Sequence, residues 1–177
     1  MSDMEDLRNV IDLYKGLPMD EIIHDLDAHG TGLEIAIDNV ERDFNMGTIV
    51  RSANAFGVRH VHIIGRRQWN KRGAMMTDKY LHVHYYPETA DFFSAMTGKT
   101  LVAVDNVAGS QPLAHANLAE NTVFIFGAEG PGIRSELLEV ADDIVAIEQF
   151  GSTRSLNVGV AAGIAMYEWT RRFVLTE

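Results

Sequence analysis

The chain predicts an α/β fold, a single domain whose mostly parallel sheet is flanked by helices, and three observations carry that prediction. Short apolar runs alternate with stretches of helical periodicity. The 177 residues suit one domain and can bury a core without covalent staples. Three strand-to-helix junctions also concentrate glycines and polar side chains, a pattern that suggests one shared pocket.

In chain order, residues 1–30 read as an N-terminal helical extension and residues 31–177 as the main domain. Leu7, Val10, Ile11 and Tyr14 form one helical stripe and Ile22, Ile23 and Leu26 another, separated by Gly16-Leu17-Pro18. Gly30-Thr31-Gly32 ends this region. Beyond it the pattern gives strands at 33–37, 60–64, 82–85, 100–104, 122–126 and 143–147. Helices are expected at 46–56, 88–96, 133–140 and 155–173, and 105–121 reads as a loop.

Composition excludes several function classes. The chain has no cysteine, so it has neither disulfides nor thiolate metal ligands. The acidic N-terminus lacks the basic and apolar regions of a secretory signal, and no apolar stretch is long enough for a membrane span, so a soluble cytoplasmic protein is expected. A net charge of −10 argues against a general nucleic-acid binder. The distribution is uneven, however. Residues 1–43 hold twelve acids and three bases, residues 51–79 hold seven bases and one acid, and residues 80–177 hold twelve acids and five bases. A basic island therefore lies between acidic flanks.

At the first junction, strand 33–37 leads through Asp38-Asn39-Val40-Glu41-Arg42-Asp43-Phe44 to Asn45, a candidate N-cap. Arg51 follows among Ile49, Val50, Ala53 and Phe56, where it either forms a structural ion pair or serves an anionic ligand. At the second junction, Gly127-Ala128-Glu129-Gly130-Pro131-Gly132 lets backbone approach a ligand closely. The glycine order differs from the dinucleotide fingerprint, and Glu129 would repel a pyrophosphate. A tight turn with Glu129 in water is the simpler alternative. At the third junction, Ser155 is a candidate N-cap, whereas Asn157 gains little from the helix itself. Gly159 and Gly163 within that helix imply close packing of another backbone or subunit.

The island Arg66-Arg67-Gln68-Trp69-Asn70-Lys71-Arg72 interleaves four cations with one aromatic. Cations can hold an RNA backbone while tryptophan stacks on an unpaired base. The alternative is a solvated loop anchored by a buried tryptophan. His60 and His62 share one strand face and His82 and His84 another. Solvent-facing histidines are expected there rather than a metal site, since no carboxylate lies at matching spacing.

Together the three junctions resemble the three motifs of the SpoU/TrmH-type RNA ribose 2′-O-methyltransferases of the SPOUT class, over residues 33 to 170. Asp38-Asn39-Val40 followed by Asn45, Gly47, Arg51, Ala53, Ala55, Phe56 and Gly57 is similar to the first motif, with Phe44 in place of a common proline. Gly127, Glu129, Gly130, Gly132 and Ile133 are similar to the second, and Ser155, Leu156, Asn157, Val158, Val160 and Ala161 to the third. In the third motif Glu148 and Gln149 replace proline and methionine, and Gly159 replaces serine.

The resemblance implies a single SPOUT domain with a C-terminal trefoil knot, a homodimer, S-adenosylmethionine as cofactor, no metal, and tRNA or rRNA as substrate. It also implies that Asn45, Arg51, Glu129, Ser155 and Asn157 line the catalytic site and that Gly127, Gly130, Ile147 and Leu156 hold the cofactor. Arg66, Arg67, Trp69, Lys71 and Arg72 are the expected RNA contacts. Two rivals remain: a catalytically silent RNA-binding module of the same fold, and an acidic protein-interaction module.

Overall fold

The computed structural model describes residues 6–39 and 44–175; the acidic start of the chain, residues 40–43 of the first junction and the last two residues lie outside that range. Seven parallel strands form one sheet in the order β3-β2-β1-β6-β4-β7-β5. They are β1 (Glu34–Asn39), β2 (His60–Gly65), β3 (His82–Tyr86), β4 (Thr100–Val104), β5 (Gln111–Pro112), β6 (Thr122–Phe126) and β7 (Asp143–Ala146). The helices are α1 (Met19–His29), α2 (Asn45–Ala55), α3 (Thr89–Ala95), α4 (Ser135–Val140) and α5 (Val158–Phe173).

Parallel strands need crossovers that cover both faces, so the central strands bury nearly every side chain. All of β1 and all of β6 are buried. One core layer joins Ile35 and Ile37 of β1 to Ile49, Val50 and Ala53 of α2 and to Ala162, Met166 and Trp169 of α5. The other joins Ala36, Ile64 and Ile125 to Phe92 of α3 and Leu137 of α4. No helix among the described residues is long and apolar enough to cross a membrane.

Backbone contact explains one glycine directly. A Cβ on Gly47 would meet the backbone nitrogens of Gly73 and Ala74 at 2.7 Å, so the segment after the basic loop seats against the first turn of α2. The long connection 105–121 is held on α5 in the same spirit. Trp169 Nε1 donates to Ala119 O at 2.8 Å, and Arg172 donates to the carbonyls of Leu113 and Ala114 at 2.9 Å.

Three expectations are corrected. Among the described residues before Gly16 there is no α-helix, only a 3₁₀ turn at Asp12–Tyr14, and Leu7, Ile11 and Leu13 are exposed. The Asp6 carboxylate accepts from the backbone N–H groups of Arg8 and Gly16 and from the Arg8 guanidinium, which closes a loop in a segment too short to form an independent helix. In the connection 105–121, β5 and a 3₁₀ turn at Leu113–His115 replace part of the expected loop.

The histidines are the third correction, because they do not face solvent as a group. His62 is buried, with its Nε2 2.7 Å from Glu34 Oε2 on the neighbouring strand, and His82 Nε2 lies 2.9 Å from Asp27 Oδ1 of α1. His60 Nδ1 lies 3.0 Å from His84 Nε2, and the rings stack across β2 and β3 with centroids 5.1 to 5.3 Å apart. Spacing along the chain cannot show carboxylates supplied by a neighbouring strand and a helix.

Candidate active site

The second and third junctions meet at the ends of β4, β6 and β7. There a pocket is lined by Val104, Asp105, Asn106, the glycine loop, Ile147, Gln149, Ser155, Leu156, Val158 and Ala161. Gly127 sits where no side chain fits, since a Cβ would fall 2.2 Å from the carbonyl carbon of Gly132. Gly130 and Gly132 adopt φ of 109° and 75°, a region that side chains disfavour. The loop therefore offers bare backbone to the pocket.

Side chains that were not expected fix its shape. Asp105 Oδ2 accepts from the N–H of Ile133 at 3.0 Å, and Asn106 Nδ2 donates to Arg154 O at 3.2 Å, which ties the end of β4 to both cofactor-side loops. Buried Asp38, at the end of β1, accepts from Arg134 N at 3.0 Å and Arg134 Nε at 2.8 Å. The sequence held a signal for this pair of sites. Both β1 and β4 run into the same Asp-Asn step, Asp38-Asn39 and Asp105-Asn106, where an apolar strand ends on groups able to bind backbone N–H.

The first junction reaches the pocket through one hydrogen-bonded chain. Asn45 Nδ2 donates to Glu129 Oε2 at 2.6 Å, and Asn157 Nδ2 donates to Asn45 Oδ1 at 2.8 Å. Both expected N-caps move as a result. Asn45 is the first residue of α2, its amide engaged with Glu129 and Asn157 rather than with its own helix. Asn157 caps α5, where its Oδ1 accepts from Gly159 N and Val160 N, and Ser155 lies outside the helix on the pocket wall.

Thus Gly127, Glu129, Gly130, Ile147, Ser155 and Leu156 line one pocket, and Asn45 and Asn157 bond to its rim. Arg51 is not among the lining residues. It is exposed on α2 and makes no hydrogen bond or ion pair to a described residue, so the structural ion pair is absent there. None of the basic-loop residues lines this pocket, and Trp69 is 8% exposed with its ring in the core, which makes it the loop's anchor rather than an open stacking face. Among the described residues, no group of three or more histidine, aspartate or glutamate side chains is arranged to hold a metal.

The pocket also suits a nucleoside-bearing cofactor without phosphates. Leu156, Val158 and Ala161 provide apolar wall, glycine backbone provides close approach, and Gln149 Oε1 is a buried acceptor with no partner, available to an exocyclic amino group.

A parallel sheet whose strand ends build one pocket, with polar groups of the first junction bonded to its rim, defines an α/β protein with a ligand site at the carboxyl ends of its strands. The chain belongs to the SpoU rRNA methylase family, whose model matches residues 32–167. It is 27% identical over 150 residues to a tRNA (guanosine(18)-2′-O)-methyltransferase of Thermus thermophilus, covering 79% of this chain and 75% of that one. It is 30% identical over 162 residues to the 23S rRNA (guanosine-2′-O-)-methyltransferase RlmB of Bordetella pertussis, covering 87% and 64%.

Among solved structures, the A. aeolicus TrmH/SpoU tRNA modifying enzyme aligns with a TM-score of 0.76 at 26% identity, over 87% of this chain and 81% of that one. An AdoMet-bound rRNA methyltransferase from Sinorhizobium meliloti aligns at 0.72 and 27% identity, over 80% and 57%.

Proposed function

We propose that the chain transfers the methyl group of S-adenosylmethionine to a ribose 2′-hydroxyl of tRNA or rRNA in the cytoplasm. The observation that carries this reading is the Asn157–Asn45–Glu129 chain, which brings all three junctions to the mouth of one pocket. The cofactor supplies an activated methyl on a sulfonium. The protein has to align the acceptor with it and manage the hydroxyl proton.

Glu129 at the pocket mouth repels a pyrophosphate and favours a cationic ligand. Gly127, Gly130, Ile147 and Leu156 hold the cofactor by backbone and apolar contact, and Asn45, Ser155 and Asn157 position the ribose. A guanidinium keeps its proton, so Arg51 acts as a clamp on an RNA phosphate and steadies the developing alkoxide rather than serving as base. On this reading residues 1–30 are an extension of the catalytic domain 31–177, which carries a C-terminal trefoil knot.

The partner subunit belongs to the same reading. Val160, Ile164 and Tyr167 form an exposed stripe on α5, with exposed Leu156 just before its start, and among the described residues nothing beyond the helix's own backbone lies within 4 Å of a Cβ built on Gly163. A glycine that weakens a helix without serving its own chain fits an α5-to-α5 dimer.

The test is transfer of labelled methyl from S-adenosylmethionine to bulk tRNA and rRNA. Label recovered in alkali-resistant dinucleotides, the mark of a 2′-O-methyl ribose, is the expected result. Label on bases, or none, contradicts it. Arg51→Lys is expected to keep part of the RNA affinity and lose about 100-fold in turnover, and unchanged turnover would rule out a role for Arg51.

A further inference from the structure

Beside the first junction lies a second cavity, a groove lined by Phe44, Arg67, Gln68, Trp69, Asn70, Lys71 and Tyr85. Its chemistry differs from that of the cofactor pocket. Phe44 is 77% exposed, an uneconomical place for a large apolar ring unless something covers it. The Arg67 guanidinium lies 4.9 Å from the Tyr85 ring centroid, and Lys71 Nζ lies 5.2 Å from that of Trp69. Aromatic faces and stacked guanidinium planes are the surfaces on which unpaired bases settle.

The groove is also held in shape. Buried Asn39 ends β1 beside it, donates through Nδ2 to Arg66 O at 2.5 Å and Gln68 O at 3.1 Å, and accepts through its backbone carbonyl from Arg66 N at 3.2 Å. Asn70 Oδ1 accepts from the N–H of Arg72 at 3.0 Å, which fixes the turn of the loop at the groove. Charge selects the occupant, because Arg66, Arg67 and Arg72 concentrate positive charge in a chain of net charge −10, whereas Lys71 is already paired with Asp78 at 2.7 Å. The neighbouring residue to Phe44 is Asn45, the link to Glu129 and Asn157.

We infer that this groove is a nucleobase subsite: an unpaired base beside the acceptor ribose stacks at Phe44 and the Arg67–Tyr85 pair while the flanking cations hold its phosphates. The inference rests on the methyltransferase reading and adds how the RNA is seated. It assigns Phe44, Asn70 and Tyr85 to RNA recognition and shifts the stacking role from Trp69 to Phe44.

Two fluorescent ten-residue probes test it, decaadenylate and an abasic ribose-phosphate oligomer of the same length, titrated against the full chain without cofactor. The wild type should bind the base-bearing probe about tenfold more tightly, in keeping with the worth of one stacked base. Phe44→Ala, at an exposed position that folding does not need, should erase that difference, and Phe44→Trp should restore it. Arg66→Gln should weaken both probes alike and lower the salt slope by about 0.7.

Equal binding of both probes by the wild type, an unchanged preference in Phe44→Ala, or no binding to either probe overturns the inference. Titration of S-adenosylmethionine separates this from the wider reading. Cofactor binding without base preference sinks the groove alone, whereas base preference without cofactor binding keeps the groove and points to a silent RNA-binding module.

Discussion

Asn157 illustrates how one side chain can serve structure and chemistry together. Its Oδ1 caps α5 while its Nδ2 reaches Asn45, so a single amide fixes the start of the helix and the rim of the pocket. Asn157→Ala should cost about 1 kcal/mol through the lost cap and lower the thermal midpoint by roughly 2 to 4 °C. Turnover should fall much further than that loss implies, and a variant that melts early yet methylates normally would reduce Asn157 to a cap.

At this scale the sequence was partly legible. The resemblance to the three motifs marked Asn45, Glu129, Ser155 and Asn157 as candidates, and of these Asn157 also stood out by itself as a polar group that gains little from its helix. Which of them caps could not be read, since an amide's partner depends on what lies across the fold. Trp69 shows the same limit, its ring being claimed by the core rather than by solvent.

At the scale of elements, apolar runs located the six longer strands and helical periodicity located the helices, because those patterns follow from local geometry. The segment before Gly16 failed because the Asp6 carboxylate offers its backbone a better set of hydrogen bonds than a short helix does. The β2–β3 edge was likewise unreadable, being made by pairing between strands. There burial, with the charge of neighbouring histidines, holds His60 and His84 below the ordinary histidine value.

Burial raises the Glu34 carboxyl, but hydrogen bonds from His62 and Lys99 outweigh it and bring the pKa from 4.5 down to about 2. The folded value lies below the unfolded one, so the stability Glu34 contributes is fully present above about pH 4.5 and is lost as pH falls toward 2. Glu34→Gln should therefore cost about 2 kcal/mol in urea unfolding at pH 7, with the gap to wild type closing between pH 4.5 and 2. A gap that widens on acidification would contradict this assignment.

For the whole molecule, alternation of strands and helices already implied a parallel sheet, and the three motifs implied one pocket, because both survive translation into any α/β arrangement. The repeated Asp-Asn step marked Asp38 and Asp105, but their partners Arg134 and Ile133 did not show in the sequence, as they lie 96 and 28 residues away. The proposed dimer belongs to this scale too. Ile164→Asp, on the exposed stripe of α5, should convert a dimer into a monomer in sedimentation velocity, and a wild type that sediments as a monomer at micromolar concentration would remove the proposed interface.

The central claim is that the pocket of the second and third junctions holds S-adenosylmethionine, and calorimetric titration with that molecule tests it most directly. Saturable binding at one site per chain is expected, together with its loss in Gly127→Ala, where the new methyl meets the Gly132 backbone. No binding to the wild type, with or without RNA, would contradict the account and leave a fold that binds RNA without modifying it.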